Sequence, residues 1–348
     1  MASITVVETA VPRLRYTVDD VALIGEEWLR DLPEKRDLFH RFLRSSNTAS
    51  RHFVLSSQEM LAIGGLQSRK ELFEKFGPEL GAAAVGGAIE RAGIRPAELN
   101  TLLFTSCSCP SIPAIDALIV ERLELSRTIA RCPMYQHGCA GGVVSLRLAA
   151  DLAAVRGPVA LASVETCSLV FQPSNPTSAQ LVGAAIFADG AACAVVMPGE
   201  NKGLAVVGHQ SFLVPNSRHL MGYDIFDDGF HLRLDRELPK ALASEAPEQV
   251  RRFLAQFGMT HEDINFWLFH PGGAKILDFL EETFALKSDQ ARWSRDVLRE
   301  VGNLSSATIL FVLKAFLDSK VAARGDKVLM VGVGPGLTIE LILFEWVG

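Results

Sequence analysis

The chain has 348 residues, of which 49% are hydrophobic and 21% charged, with a formal net charge of −6. This composition buries a large core and excludes a disordered chain, and without a long basic block it excludes a nucleic-acid binder. The length fits two domains or one large two-lobed domain.

The N-terminal stretch MASITVVETAVPRLRYT reads as a strand and then a loop. It lacks the charged start and long apolar core of a signal peptide, and no apolar run reaches the ~18–20 residues of a membrane span, so a cytoplasmic protein is expected. Residues 79–94 predict an Ala-rich packed helix and 101–105 a strand. Apolar residues at helical spacing predict a helix over 143–155, and 159–164 reads as a buried strand. Residues 184–188 and 191–197 read as a strand pair split by a turn at Asp189-Gly190. The polar stretch 198–203 is the expected boundary between halves. Beyond it, the patterns predict a helix over 247–258, a strand over 265–269, a helix over 305–319 and closing strands over 327–332 and 337–346. Alternating strands and helices make this an α/β chain.

The six cysteines are Cys107, Cys109, Cys132, Cys139, Cys167 and Cys193. None is paired in a CxxC spacing for zinc, so most are expected to be small buried hydrophobes. Cys139 stands apart, in His137-Gly138-Cys139-Ala140-Gly141-Gly142 directly before a helix. Unpaired N–H groups and the positive end of the helix dipole favour thiolate there, and glycines admit a close ligand. Local context leaves it open between a nucleophile and a packed cysteine. His270 ends the apolar run Phe266-Trp267-Leu268-Phe269 before Pro271-Gly272-Gly273. The end of a buried strand is where α/β folds place ligands, but a hydrogen-bonded core histidine fits equally. Asn303, in Gly302-Asn303-Leu304-Ser305-Ser306-Ala307, is either an N-cap or, if Ser305 caps instead, a free amide donor for an oxyanion or enolate. Gly332-Val333-Gly334-Pro335-Gly336 leads into a strand, not a helix, so it reads as a rigid turn in a cavity wall and not as a phosphate loop.

In their order along the chain, GCAGG at 138–142, FADG at 187–190, FHPGG at 269–273, GNLSSA at 302–307 and GVGPGLTIE at 332–340 resemble the type III polyketide synthases, the chalcone synthase-like branch of the thiolase superfamily. GCAGG is similar to the bacterial form of the motif. The resemblance implies a five-layered αβαβα fold in two similar halves, 1–200 and 201–348, working as a homodimer. It implies a catalytic set of Cys139, His270 and Asn303, with Phe187 and Phe230 as gatekeepers. It places Cys107, Cys167, Val170 and Met221 at cavity positions, with Ser305, Gly334, Pro335 and Gly336 also on the substrate side. Arg41 and Arg44, in HRFLRSSNTASRH, are the candidates for contact with coenzyme A.

The implied reaction is iterative decarboxylative condensation. Cys139, as a thiolate paired with His270, takes a starter acyl group from acyl-CoA. His270 and Asn303 stabilise the enolate of malonyl-CoA, each donor worth about 3–4 kcal/mol. No metal, flavin or nicotinamide is required. A medium- or long-chain fatty acyl-CoA starter, giving an alkylpyrone or alkylresorcinol, is the leading expectation, with a malonyl-primed naphthalene polyol close behind. The alternatives are a ketoacyl-ACP synthase III dependent on an acyl carrier protein, a cysteine hydrolase and a non-catalytic homologue.

Overall fold

A computed structural model describes residues 2–199 and 202–348. The expected boundary between halves falls at Glu200 and Asn201, outside the described residues. In chain order the strands are β1 (Ala2–Ala10), β2 (Leu14–Thr17), β3 (Ser50–Phe53), β4 (Thr101–Ser106), β5 (Ala130–Tyr135), β6 (Val159–Thr166) and β7 (Asp189–Pro198). They continue with β8 (Leu204–Leu213), β9 (Met221–Phe226), β10 (Gly229–Leu234), β11 (Phe266–Phe269), β12 (Lys327–Gly334) and β13 (Thr338–Trp346).

Five strands of the first half, ordered β5-β4-β6-β7-β1, and four of the second, ordered β8-β13-β12-β11, meet where β1 pairs with β8 at Ser3–Ala205 and Ile4–Leu204. Between the two halves lie the helices Gly141–Arg156 and Thr308–Ser319, the first touching β4, β6 and β7 on one side and β12 and β13 on the other. Helix Leu66–Ala92 covers the outside of the first half, and helices Leu238–Ala255 and Ala274–Thr283 that of the second. Three hydrophobic clusters, one central and two outer, fill the spaces between these layers. This is the five-layered αβαβα arrangement that the motifs imply.

The layering explains the sequence pattern. Strands β4 and β6 are buried at every position, because a sheet covered on both faces has no polar side. Helix Gly141–Arg156 is apolar on most of its surface for the same reason. Counted from Gly138, it has the length and mean hydropathy, 1.4, of a membrane span, contrary to the sequence expectation, yet most of it is packed inside the protein.

Two expectations are corrected. The turn at Asp189-Gly190 does not exist: residues 184–186 end the helix Ser178–Ile186, and Asp189 opens β7. The Asp189 carboxylate accepts from the backbone N–H groups of Val54 (2.8 Å) and Ser168 (2.7 Å) and from the Ser168 hydroxyl, so it serves distant loops and not a local turn. The helices predicted over 79–94 and 247–258 begin earlier, at Leu66 and Leu238. Each runs through a proline, Pro78 and Pro247, that tertiary packing accommodates.

Candidate active site

Three glycine-rich segments from distant parts of the chain interlock in the centre of the molecule. Cys139 lies in the 3-10 turn Gly138–Ala140, which runs into helix Gly141–Arg156. A Cβ added at Gly142 would lie 2.2 Å from the Ser306 carbonyl oxygen. One at Gly334 would lie 2.4 Å from the Ala140 Cβ, and one at Gly138 2.5 Å from the Pro335 ring. Glycine is required at these positions because atoms of another segment, backbone at Gly142 and Gly334 and the Pro335 ring at Gly138, occupy the side-chain space. Thus 138–142, 303–306 and 334–335 are brought together. Gly336 faces away, toward Leu213, and its carbonyl accepts from Ser217 Oγ at 2.5 Å.

Ser305 stands between two thiols. Its hydroxyl lies 3.7 Å from Cys139 Sγ and 3.1 Å from Cys107 Sγ. Asn303, 2% exposed, accepts at Oδ1 from the Ser305 N–H (2.8 Å) and the Thr308 hydroxyl (3.2 Å). Asn303 therefore caps its own turn while Ser305 faces the cysteines, the reverse of the division that would leave the whole Asn303 amide free. No acceptor among the described residues takes Asn303 Nδ2. The Asn303 backbone is also locked: its N–H donates to Ile186 O and its carbonyl accepts from Ala188 N–H, both at 2.9 Å, so Phe187 lies alongside it in a parallel bridge.

His270 continues the parallel ladder of β11 and β12, its N–H donating to Val331 O at 2.9 Å. That strand goes on through Gly332 and Gly334 to the Cys139 turn. The imidazole is 4% exposed, and neither ring nitrogen has a partner among the described residues. A core histidine held by protein hydrogen bonds would not look like this; an imidazole awaiting a ligand would.

Burial sets the protonation states. It pushes the Cys139 thiol up to about 11, against a lowering by the Ser305 hydroxyl and with a further rise from Glu165. It pulls the His270 imidazole down to about 4. Both shifts favour a neutral thiol and a neutral imidazole, not the ion pair expected from sequence. Alkylation of Cys139 by iodoacetamide in substrate-free protein is therefore expected to accelerate steadily from about pH 7 to about pH 10, following the thiolate fraction. A plateau reached below about pH 8 would restore the ion pair.

The remaining candidates divide. Phe187, Phe230, Cys167 and Val170 pack together with Leu66 and Tyr223. Met221 does not join them; it pairs with Leu234 at the base of the β9–β10 hairpin and packs against the outer core of the second half. Arg41 and Arg44 are exposed on helix Pro33–Ser45 and have no ionic partner among the described residues.

Two groups escaped the sequence reading. Glu165, fully buried at the end of β6, faces the Cys107 N–H at 3.1 Å and accepts from the hydroxyls of Ser108 and Ser306. Burial pushes its carboxyl up. A lone carboxylate in the apolar run VALASVET was the available signal. Tyr223 lies near enough to Cys107, Cys167 and Cys139 for their charges, after burial, to raise its phenol. Nothing local in MGYDIF marks it.

An apolar cavity opens beside Phe187, Cys167, Val170 and Tyr223 and runs between Val21, Ile24, Trp28 and Phe39 on one side and Phe53 and Met60 on the other.

Family models of the chalcone and stilbene synthases match residues 7–200 (N-terminal domain) and 205–348 (C-terminal domain). The chain is 31% identical to the phloroglucinol synthase of Pseudomonas fluorescens over 89% of each chain. It is 30% identical to the 1,3,6,8-tetrahydroxynaphthalene synthase of Streptomyces peucetius subsp. caesius, over 99% of this chain and 93% of that one. The crystal structure of the Streptomyces coelicolor 1,3,6,8-tetrahydroxynaphthalene synthase, a bacterial type III polyketide synthase, superposes with a TM-score of 0.94 at 26% identity, covering 99% of each chain. The C-terminal type III polyketide synthase domain of Steely1 from Dictyostelium shares the fold, with a TM-score of 0.92 at 23% identity over 100% of this chain and 99% of that domain.

Proposed function

The chain belongs to the chalcone and stilbene synthase family, and on that premise we propose that it builds its product from malonyl-CoA as both starter and extender, through Cys139, His270 and Asn303. That it is a type III polyketide synthase, an acyltransferase that condenses malonyl-CoA iteratively, follows from the family and from its bacterial relatives. The residue roles and the starter are our reading. The observation that carries the roles is the unpartnered, buried His270 imidazole at the end of β11, paired through its backbone to β12, the strand whose Gly334 packs on the Cys139 turn.

In this reading Cys139 Sγ attacks the thioester carbonyl of the starter while the neutral His270 takes its proton. CoA leaves as the thiol, reclaiming that proton, and the acyl group stays on Cys139. His270 is again neutral and holds one ring N–H. A second malonyl-CoA then places its thioester oxygen toward that N–H and Asn303 Nδ2. Carbon dioxide leaves, and the two donors stabilise the enolate charge as it develops. The enolate carbon attacks the Cys139 thioester and expels the sulfur as thiolate, which attacks the CoA thioester of the lengthened chain; CoA leaves as thiolate and takes a proton from solvent. A His270 pushed down to about 4 by burial suits this cycle, because a neutral imidazole both accepts a proton and donates a hydrogen bond. Phe187 and Phe230 would keep water from the thioester. Arg41 and Arg44 would meet the phosphates of CoA at the surface.

Malonyl priming is favoured by the relatives, whose names give a polyhydroxylated naphthalene or benzene product. Such rings, oxygenated at alternate carbons, are what two-carbon units joined head to tail produce. A fatty acyl-CoA starter is the second reading, and the apolar cavity lined by Ile24, Trp28, Phe39 and Met60 supports it. Incubation of the pure protein with labelled malonyl-CoA alone, and with acyl-CoA starters from about C8 to C18 added, separates the two. Carbon dioxide release and an aromatic product from malonyl-CoA alone are expected. Turnover only when a long-chain starter is present would establish the lipid reading, and no condensation with any starter would overturn both.

A further inference from the structure

Two side chains that line the apolar cavity each carry a buried hydrogen-bond donor with no acceptor among the described residues. Arg51, 2% exposed, spends Nη1 on the carbonyls of Ala184 (2.6 Å) and Phe187 (3.0 Å), while its Nη2 has no acceptor among the described residues. Gln180, 4% exposed on the helix Ser178–Ile186, likewise has no acceptor for Nε2. Both residues line the same cavity. The carboxylate that acts on Arg51 electrostatically, Asp189, is already engaged by Val54 and Ser168. The other walls, from Val21, Ile24, Trp28, Phe39, Phe53 and Met60, offer no side-chain carboxylate or amide oxygen. A buried donor without an acceptor is costly, so such a pair in a pocket calls for an oxygen-bearing ligand.

We propose that Arg51 and Gln180 form a receptor for the distal carboxylate of an acyl chain carried on Cys139, so that the cavity selects dicarboxylic over alkyl starters. This rests on the condensing reading and deepens it. The cavity begins at Cys167, Phe187 and Tyr223, and Phe187 is bridged to Asn303, whose Oδ1 accepts from the N–H of Ser305, the residue whose hydroxyl lies 3.7 Å from Cys139 Sγ. A chain anchored on Cys139 and extended past these residues has apolar walls along its methylenes and two donors for its far end. A purely alkyl chain leaves both donors unmet. A carboxylate meets a guanidinium and an amide N–H, the stronger kind of hydrogen bond.

The test is competitive loading. The enzyme is mixed with equal glutaryl-CoA and pentanoyl-CoA, which have the same chain length, and the two acyl adducts on Cys139 are weighed by intact-protein mass spectrometry. The wild type is expected to carry mostly the glutaryl adduct. Gln180→Met and Arg51→Met should each lower the glutaryl-to-pentanoyl ratio about tenfold, and Arg51→Lys should restore part of it. Gln180→Met keeps the test decisive if Arg51→Met does not fold, because Arg51 also ties the 184–187 backbone. A wild-type ratio at or below one, including no glutaryl adduct at all, overturns the proposal. So does a Gln180→Met variant with an unchanged ratio, because a merely structural residue would depress both adducts together. Carbon dioxide release from malonyl-CoA alone, measured on the same preparation, reports separately on the condensing reading.

Discussion

Replacing Cys139 by serine is expected to abolish the acyl-enzyme and to lower condensation by a factor on the order of 10⁴–10⁶, the range seen when an activated nucleophile is removed. Intact-protein mass spectrometry after mixing with acyl-CoA reads the adduct, and product formation from labelled malonyl-CoA reads the rate. The size of the effect follows from the environment. Burial already pushes the thiol up to about 11, so in the proposed cycle the neutral His270 takes the proton during attack. A serine hydroxyl is far less acidic and is a poorer leaving group when the enolate arrives. Neighbouring thiols do not substitute. Cys107 shares the Ser305 hydroxyl, but burial and the Glu165 charge push its thiol well above the ordinary range, and Cys167 is raised by the same two causes. An adduct of undiminished yield at Cys107 in the variant would move the nucleophile there and refute the assignment.

Asn303→Asp is expected to leave acyl loading of Cys139 intact while lowering malonyl-CoA decarboxylation by about 10²–10³. The substitution is chosen for what it preserves. Asn303 Oδ1 accepts from the Ser305 N–H and the Thr308 hydroxyl, and a carboxylate oxygen can accept both. The backbone bonds to Ile186 and Ala188 do not involve the side chain. What disappears is the Nδ2 donor, replaced by an oxygen that repels an enolate. A truncation to alanine would free Ser305, and with it the hydroxyl beside both cysteines, and so would mix two effects. The adduct mass reports loading, and release of labelled carbon dioxide reports decarboxylation. Decarboxylation within about threefold of wild type would show that the Asn303 amide stabilises no charge.

Much of this arrangement is legible before folding. Continuous apolar runs at 101–105 and 159–164 correspond to strands covered on both faces, and the helical spacing over 143–155 corresponds to the central helix. Cys139, His270 and Asn303 stand out because each ends a recognisable element next to glycine, or next to the cap of a helix. The false turn at Asp189-Gly190 has a definite cause. The dipeptide satisfies a local rule, but the Asp189 carboxylate is claimed by Val54 and Ser168, and no window of neighbouring residues contains both. Tyr223, Arg51 and Gln180 are silent for the same reason, since each looks ordinary among its neighbours in the chain, whereas Glu165 is marked only by being a lone carboxylate in an apolar run.

Residue order thus carries the layer pattern, the three candidate groups Cys139, His270 and Asn303 and the family to which the chain belongs, because these depend on periodicity and on motifs a few residues long. Only the tertiary structure shows that burial pushes the Cys139 thiol up and the His270 imidazole down, that Asn303 caps while Ser305 faces the sulfurs, and that two donors of cavity-lining side chains have no acceptor among the described residues. Those properties come from desolvation and from contacts between segments more than a hundred residues apart, such as Ser305 with Cys139 or Arg51 with Phe187, and neither is written into any local stretch of chain.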